Sequence, residues 1–297
     1  MYYVVLDLEW NSSYSKKSKS FINEIIEIGA VMVNAGFEVI DTFSTIIKAQ
    51  LGKRLTSRVK ALTNISNEDI RGGVPFSKAF EDFEKWLGGK DTVIMSWGDS
   101  DVRVLSDNFL FFNNDERVPF LKKYLDMQKY FQHCYNLPSS KQVGLITAAE
   151  LCGIDTSDVS SHRALEDSLL ALRCLKKIFD EEKMAAFTQE CNEDFYKKLR
   201  FKVHNITNLR DPHIDKSLMR CDCQNCNKPM QRLSEWKCVN QAFRALFYCR
   251  ECSNMGLFTI KFRRHFDRVD THTTFIKLEP AEEESVLTAA QNSSVTG

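Results

Sequence analysis

The chain opens on an apolar run, Tyr2-Tyr3-Val4-Val5-Leu6, whose length and composition predict a buried β-strand. The run ends at Asp7-Leu8-Glu9 and Trp10, and the polar stretch from Asn11 to Ser20 reads as a loop. Ile25-Ile26-Glu27-Ile28-Gly29-Ala30-Val31-Met32-Val33 is apolar almost throughout, as a strand covered on both faces would be. A third strand is predicted from Phe37 to Ile47. The short Asn34-Ala35-Gly36 turn between them makes the three an antiparallel meander. Leu62-Thr63-Asn64-Ile65-Ser66 and Val74-Pro75-Phe76 carry loop signals. Helical spacing of Phe80, Phe83, Trp86 and Leu87 follows and stops at Gly88-Gly89.

Further on, Thr92 to Ser96 predicts a strand, Asp101 to Phe111 a helix and Tyr124 to Met127 a short strand. Ile146 to Cys152 and Ala164 to Phe179 have helical patterns, and Glu181 to Lys202 is charged and helical in character. A meander of three strands followed by alternating helix and strand predicts a mixed α/β sheet flanked by helices. The domain expectation is one domain over 1–182, a helix and polar, Pro212-containing linker over 183–220, a cysteine-rich unit over 221–278, and a disordered tail over 279–297.

Forty basic and forty acidic side chains cancel over the 297 residues, so net charge names no partner. Its distribution says more. From Arg200 to Glu279 there are 15 Lys or Arg against 8 Asp or Glu, a surplus of seven that suits a polyanion. No hydrophobic stretch is long enough to span a bilayer, and the first strand leaves no room for a leader. The expectation is a cytoplasmic protein with no membrane partner and reduced thiols.

Ten cysteines are then core residues or metal ligands. Cys134, Cys152, Cys174 and Cys191 are scattered through apolar stretches and read as core fillers. Cys223-x₂-Cys226 and Cys249-x₂-Cys252, about 22 residues apart, have the two-knuckle spacing of a Cys₄ zinc ribbon. Cys221 and Cys238 are spare, and Cys221 could stand in for Cys223. Arg244, Arg250, Lys261, Arg263, Arg264 and Arg268 alternate with Phe247, Phe258, Phe262 and Phe266. This favours nucleic-acid binding by the ribbon over a purely structural or docking role.

The candidate chemistry lies in the acids. Residues i and i+2 of a strand share a face, so Asp7 and Glu9 project together. Two carboxylates that close repel unless a cation lies between them, and an all-oxygen site suits Mg²⁺ or Mn²⁺. A second acidic element, Ser96-Trp97-Gly98-Asp99-Ser100-Asp101, opens a helix, where one Asp is expected merely to cap it. A third, Ser161-His162-Arg163-Ala164-Leu165-Glu166-Asp167, enters a late helix, with Ser160 or Ser161 as N-cap and Asp167 inside.

Taken in order, D-x-E after the first strand, D after a middle strand and H-x₄-D on a late helix resemble the DEDD exonuclease superfamily. The match is to its His-containing branch (DEDDh, DnaQ/RNase T-like), nearest the Eri-1 and KapD-like group, and it covers roughly residues 1–180. The second strand, Ile25 to Ala30, also resembles the family's. The resemblance implies an RNase H-like sheet and a 3′-5′ exonuclease that releases nucleoside 5′-monophosphates from nucleic acid with a free 3′ end, RNA favoured over DNA. It implies Asp7, Glu9, Asp101 (rather than Asp99) and Asp167 as ligands of two Mg²⁺ or Mn²⁺ ions, with His162 as the general base. Leu8 and Trp10 are the expected substrate contacts, Trp10 by stacking on a terminal base. The alternative is a non-catalytic nucleic-acid or protein adaptor on a nuclease fold, which has no need to keep all five residues.

Overall fold

The computed structural model describes residues 1–138, 141–157 and 163–278. His162 and the expected tail at 279–297 lie outside them. The chain forms two compact units, Met1–Arg200 and a second beginning at Phe201.

The first unit is built on β1 (Tyr2–Ser15), β2 (Ser20–Val33), β3 (Val39–Ile46), β4 (Thr92–Ser96), β5 (Lys123–Asp126) and β6 (Gln189–Glu190). Their order across the sheet is β3-β2-β1-β4-β5-β6. The first three pair antiparallel, β1–β4 and β4–β5 are parallel, and β6 is antiparallel to β5. This is the mixed, RNase H-like sheet expected.

Alternation along β1 divides the core. Val4, Leu6 and Leu8 face α3 (Phe76–Leu87), α4 (Ser100–Asn113) and α9 (Glu193–Arg200). Tyr3 and Val5 face α5 (Met127–Cys134), α7 (Ala164–Ile178) and α8 (Glu181–Phe187). Asp7 and Glu9 continue the second series, so they emerge on the side where α7 packs. α6 (Leu145–Leu151) buries Ala148 and Ala149 against Phe131, Leu170 and Cys174.

Several boundaries differ from the sequence expectation. The predicted loop Asn11 to Ser20 is strand up to Ser15 and again from Ser20, leaving only a short turn. Asn11, Ser13 and Ser15 are buried there and Tyr14 and Phe21 exposed, so the period-two signal is inverted in polarity. Polar partners make this tolerable: Asn11 Nδ2 donates to Ser13 Oγ (3.1 Å), and Thr56 N–H donates to Asn11 Oδ1 (3.0 Å). Of the stretch read as loop, Leu62 and Thr63 belong to a short helix, α1 (Ser57–Thr63), and Ser66 caps a second, α2 (Asn67–Gly72). α5 follows β5 at once, with the Asp126 side chain capping it. The charged segment after Glu181 is two helices, α8 and α9, around β6.

Met184 of α8 and Phe195, Tyr196 and Leu199 of α9 are buried in the first unit's core. Ile206 and Ile214, within the expected linker, are buried in the second unit, and β7 (His204–Asn205) pairs there with Arg263 and Arg264. The boundary thus falls inside the segment expected to be helix and linker.

The second unit is an antiparallel sheet of β8 (Gln231–Arg232), β9 (Lys237–Val239), β10 (Ala242–Tyr248), β11 (Met255–Arg264) and β12 (Val269–Lys277), with β8 and β9 both on β10. Phe247, Phe258 and Phe262 are 3 %, 6 % and 0 % exposed and fill its core. The expected interleaving of cations with stacking aromatics is therefore not a surface feature at these three positions: strand alternation turns the rings inward. Among the described residues no helix is long and apolar enough to cross a membrane.

Candidate active site

Three acidic side chains that are distant in sequence meet at one place. Asp7 and Glu9 of β1 and Asp167 of α7 offer carboxylate oxygens that all lie within 4.8 Å of one another. Two devices seat α7 so that this occurs. The first is Gly29, which pairs with Asp7 across β1 and β2. A Cβ at Gly29 would stand 2.1 Å from Leu165 N and 2.2 Å from Ala164 C, so the start of α7 rests directly on the strand. Ser168 Oγ donates to Gly29 O (3.1 Å) in support.

The second device is Glu27, 1 % exposed and paired with Glu9 in the same register. Its carboxylate accepts from Arg163 Nε (3.0 and 3.2 Å), Arg163 Nη2 (2.7 Å) and Ala164 N–H (3.3 Å). A buried carboxylate is strongly unfavourable unless paired and hydrogen-bonded, and Glu27 meets both conditions while fixing the first residue of α7. Sequence reasoning missed Glu27 and Arg163. The signal was a lone charge within an otherwise apolar strand, which calls for a partner. The helix starts at Ala164 with Arg163 at the N-cap position, rather than at Ser160 or Ser161, which places Asp167 in the first turn.

Asp101 joins the site by another route. Parallel pairing of β1 with β4 ends at Val5 and Met95, which leaves that edge of β1 open beyond it. Leu8 N–H donates to Asp101 Oδ1 (3.0 Å). Asp101 is 4 % exposed at the start of α4. Asp99 instead faces outward and pairs with Arg103 Nη2 (3.1 Å), its side chain 39 % exposed. It occupies the N-cap position of α4 without a side-chain capping bond. The Leu8 side chain, an expected substrate contact, is buried in the core, and its N–H is committed to Asp101. Trp10 is half-buried and packs against the same core.

Crowding raises the acids' pKa values. Removal from water and then the fields of Asp101, Asp167, Glu9 and Glu27 hold Asp7 well above the ordinary carboxylate range. Glu9 is pushed up to about 8, first by desolvation and then by Asp167, Glu27 and Asp101, with Arg163 opposing. Desolvation raises Asp101 to about 7 against the Leu8 hydrogen bond. A set of oxygen donors that resist ionising together is the donor chemistry a hard divalent cation relieves.

In the second unit, Cys223, Cys226, Cys249 and Cys252 form one cluster. Their sulfurs are 3.4 Å (Cys223–Cys252), 3.5 Å (Cys226–Cys249) and 3.9 Å (Cys226–Cys252) apart. Tetrahedral zinc with Zn–S near 2.3 Å requires S···S of about 3.8 Å, so the set can hold the ion. Asn254 Nδ2 donates to Cys223 Sγ (3.6 Å) from behind. Cys221 lies against Met230 Sδ (3.8 Å), outside the cluster, and Cys238 is exposed.

The exonuclease family model, RNase T, matches residues 4–175. The chain belongs to this exonuclease family. The probable 3′-5′ exonuclease KapD of Bacillus subtilis is 29 % identical over 176 residues, 59 % of this chain and 83 % of that protein. Human 3′-5′ exoribonuclease 1 is 24 % identical over 155 residues, 50 % of this chain and 44 % of that protein. Among solved structures, the nuclease domain of 3′hExo, a DEDDh family member bound to rAMP, superposes with a TM-score of 0.52 at 22 % identity, covering 58 % of this chain and 88 % of that one. The protein is a 3′-5′ exonuclease of the DEDD type, a phosphodiester hydrolase, as the order of its acids implied. Exonucleases of this class use divalent metals, which agrees with the donor set.

Proposed function

We propose that this exonuclease removes nucleoside 5′-monophosphates one at a time from the 3′ ends of RNA, and less readily of single-stranded DNA. The observation that carries the reading is the meeting of Asp7, Glu9 and Asp167 within 4.8 Å, with Asp101 bound to the intervening Leu8 N–H. Asp7, Glu9, Asp101 and Asp167 would hold two Mg²⁺ or Mn²⁺ ions. When bound, such ions supply charge neutralisation at the phosphate and make a water acidic enough to attack near neutral pH. Through those ions the acids would set where the reacting phosphate lies beside β1, and Glu27 with Arg163 fixes the start of α7. His162 immediately precedes Arg163 in the chain, and a histidine, with an unperturbed pKa near 6.5, suits the task of taking the water's proton. An RNA preference is supported by the human exoribonuclease and by the rAMP complex among the relatives. Matched RNA and DNA oligomers test it: faster nucleotide release from RNA is expected, and equal or inverted rates would count against the preference.

Two substitutions test the roles of individual residues. His162→Ala is expected to lower kcat by roughly 10²–10⁴-fold while metal binding persists. A rate equal to the parent at neutral pH would leave His162 no catalytic part. Asp101→Asn is expected to lose most activity and Asp99→Asn little, since only Asp101 is drawn in against β1. Loss at Asp99 with retention at Asp101 would reverse that assignment.

For the second unit, one structural zinc ion is proposed at Cys223, Cys226, Cys249 and Cys252. Elemental analysis of the full chain is expected to find one zinc per molecule and none after Cys249→Ser. That variant is also expected to melt its second unit first, because a small sheet with few core residues relies on such a staple. Zinc-free full chain with an unchanged melting profile would remove the proposal.

A further inference from the structure

The face of β1 that carries Asp7 and Glu9 does not end there. Asn11 and Ser13 continue the same series, so Ser13 lies about 13 Å beyond Glu9 at the usual strand rise. The segment 48–56 covers this continuation. Thr56 N–H donates to Asn11 Oδ1 (3.0 Å), and Gly52 is so close that a Cβ there would stand 2.4 Å from Ser13 Oγ. Buried Glu24 fixes the segment from beneath by accepting N–H donors from Gln50, Leu51 (2.9 Å) and Gly52 (3.2 Å). On the other side, Leu55 and Ile70 pack on Ile26, the neighbour of Glu27.

Between the segment and α2 lies a cavity of about 560 Å³ whose lining includes Lys48, Lys53, Arg54, Asn67 and Arg71. No acid lines it. Lys48, Lys53 and Arg54 make no ion pair among the described residues, and Arg71 has only the exposed Glu68 at 3.6 Å. Glu24, buried under the segment, spends its carboxylate on backbone N–H groups. Four cations meet at one recess, three of them without an ion pair among the described residues, and such a cluster of positive charge attracts a polyanion. Glu24 pins the backbone at 50–52, beside Lys53 and Arg54.

We infer that this recess binds the phosphodiester backbone of the substrate strand a few nucleotides upstream of the 3′ end held at Asp7 and Glu9. The inference rests on the exonuclease reading of the carboxylate site and adds the path by which the strand reaches it. A strand leaving the carboxylates passes over the outer side of the 48–56 segment, which covers Asn11 and Ser13, to the recess. Only strands long enough to reach gain from it, so the recess favours longer substrates.

The test measures binding in EDTA, where no hydrolysis occurs and the result does not depend on catalysis. Full-length protein is titrated into 5′-fluorescein oligouridylate of roughly twelve nucleotides and of roughly three, lengths on either side of a single-strand site. Lys53→Glu/Arg54→Glu is compared with the parent and with the charge-matched Lys197→Glu/Lys198→Glu on α9. Both pairs are exposed, and thermal melting checks that each variant folds. The inference predicts that the first variant loses about tenfold or more in affinity for the longer strand and no more than twofold for the shorter. Its salt dependence becomes shallower by about 1.4 in the log–log slope, two single-strand phosphate contacts' worth. The α9 variant stays within about twofold of the parent. Equal losses in the two variants, unchanged binding in the first, or no binding of the longer strand by the parent overturns it. If binding follows the prediction but no metal-dependent nucleotide release exists in the parent, the exonuclease reading fails and the recess stands.

Discussion

Asp7→Ala is expected to abolish nucleotide release while making the metal-free protein more stable. Both effects have the same origin. Asp7 lies at the centre of the acids, with Asp101, Asp167, Glu9 and Glu27 all raising its pKa. In the proposed two-ion site Asp7 would be a shared ligand, and its loss would remove several kcal/mol of charge stabilisation at the phosphate, roughly a 10³-fold or greater loss in rate. The stability effect follows from linkage. An acid whose folded pKa lies above its unfolded value resists ionisation in the fold. Below about pH 4 both states are protonated and the group contributes nothing. As pH rises through the folded values, about 7 for Asp101 and about 8 for Glu9, the folded state loses stability relative to the unfolded one. In EDTA the parent is therefore expected to have a lower Tm at pH 8 than at pH 5.5, with a smaller drop in Asp7→Ala. Mg²⁺ or Mn²⁺ is expected to raise the parent's Tm more at pH 8 than at pH 5.5, since a ligand that binds only the folded state stabilises it. Near-normal turnover in Asp7→Ala, or a parent Tm that rises from pH 5.5 to 8 in EDTA, would contradict this.

Gly29→Ala is expected to reduce kcat by about 10²-fold although position 29 supplies no metal-ligating group. The new Cβ would stand 2.1 Å from Leu165 N and 2.6 Å from Leu165 Cα, backbone that moves only if α7 moves. A displacement of about 1 Å in a catalytic group costs on that order in rate. The start of α7 carries Asp167 and is pinned by Glu27 through Arg163 and Ala164 N–H, so displacement strains both anchors. Overpacking of this kind also destabilises by roughly 1–3 kcal/mol. Circular dichroism is expected to show a folded protein with a lowered Tm, separating misplacement from unfolding. A folded Gly29→Ala protein at the parent's rate would mean that the seat of α7 does not set the site's geometry.

What could be read from the sequence followed from how local each signal was. The mixed sheet, an antiparallel meander followed by further strands, was legible because three short-linked apolar runs followed by alternating helix and strand admit few arrangements. The acidic constellation was legible because each acid lies at a strand end or helix start that its own neighbours define. The expectation of Asp101 over Asp99 came from the apolar helix that begins beside it. The Cys₄ set was legible from spacing alone, and Cys221 is excluded only by where its neighbour Met230 packs.

Other features depended on contacts far apart in sequence. The arm of β1 and β2 beyond Trp10 buries polar residues and exposes Tyr14 and Phe21, so its polarity pointed the wrong way. Glu24 and Glu27 are one-sided in the sequence, since their partners lie at 50–52 and 163–164. The ribbon's phenylalanines resembled stacking residues because interleaved cations suggest a surface, yet β10 and β11 turn Phe247, Phe258 and Phe262 into the core. α1 and α2 are only seven and six residues long, too short for a periodic pattern to outweigh their caps.

The most direct test of the central claim follows two labels on one single-stranded RNA, one at the 3′-terminal nucleotide and one at the 5′ end, in Mg²⁺ and in EDTA. The account predicts that the 3′ label leaves first as a nucleoside 5′-monophosphate, that the 5′-labelled strand shortens one nucleotide at a time, and that EDTA stops both. Release of the 3′ label within an oligonucleotide, shortening from the 5′ end, or undiminished release in EDTA would contradict it.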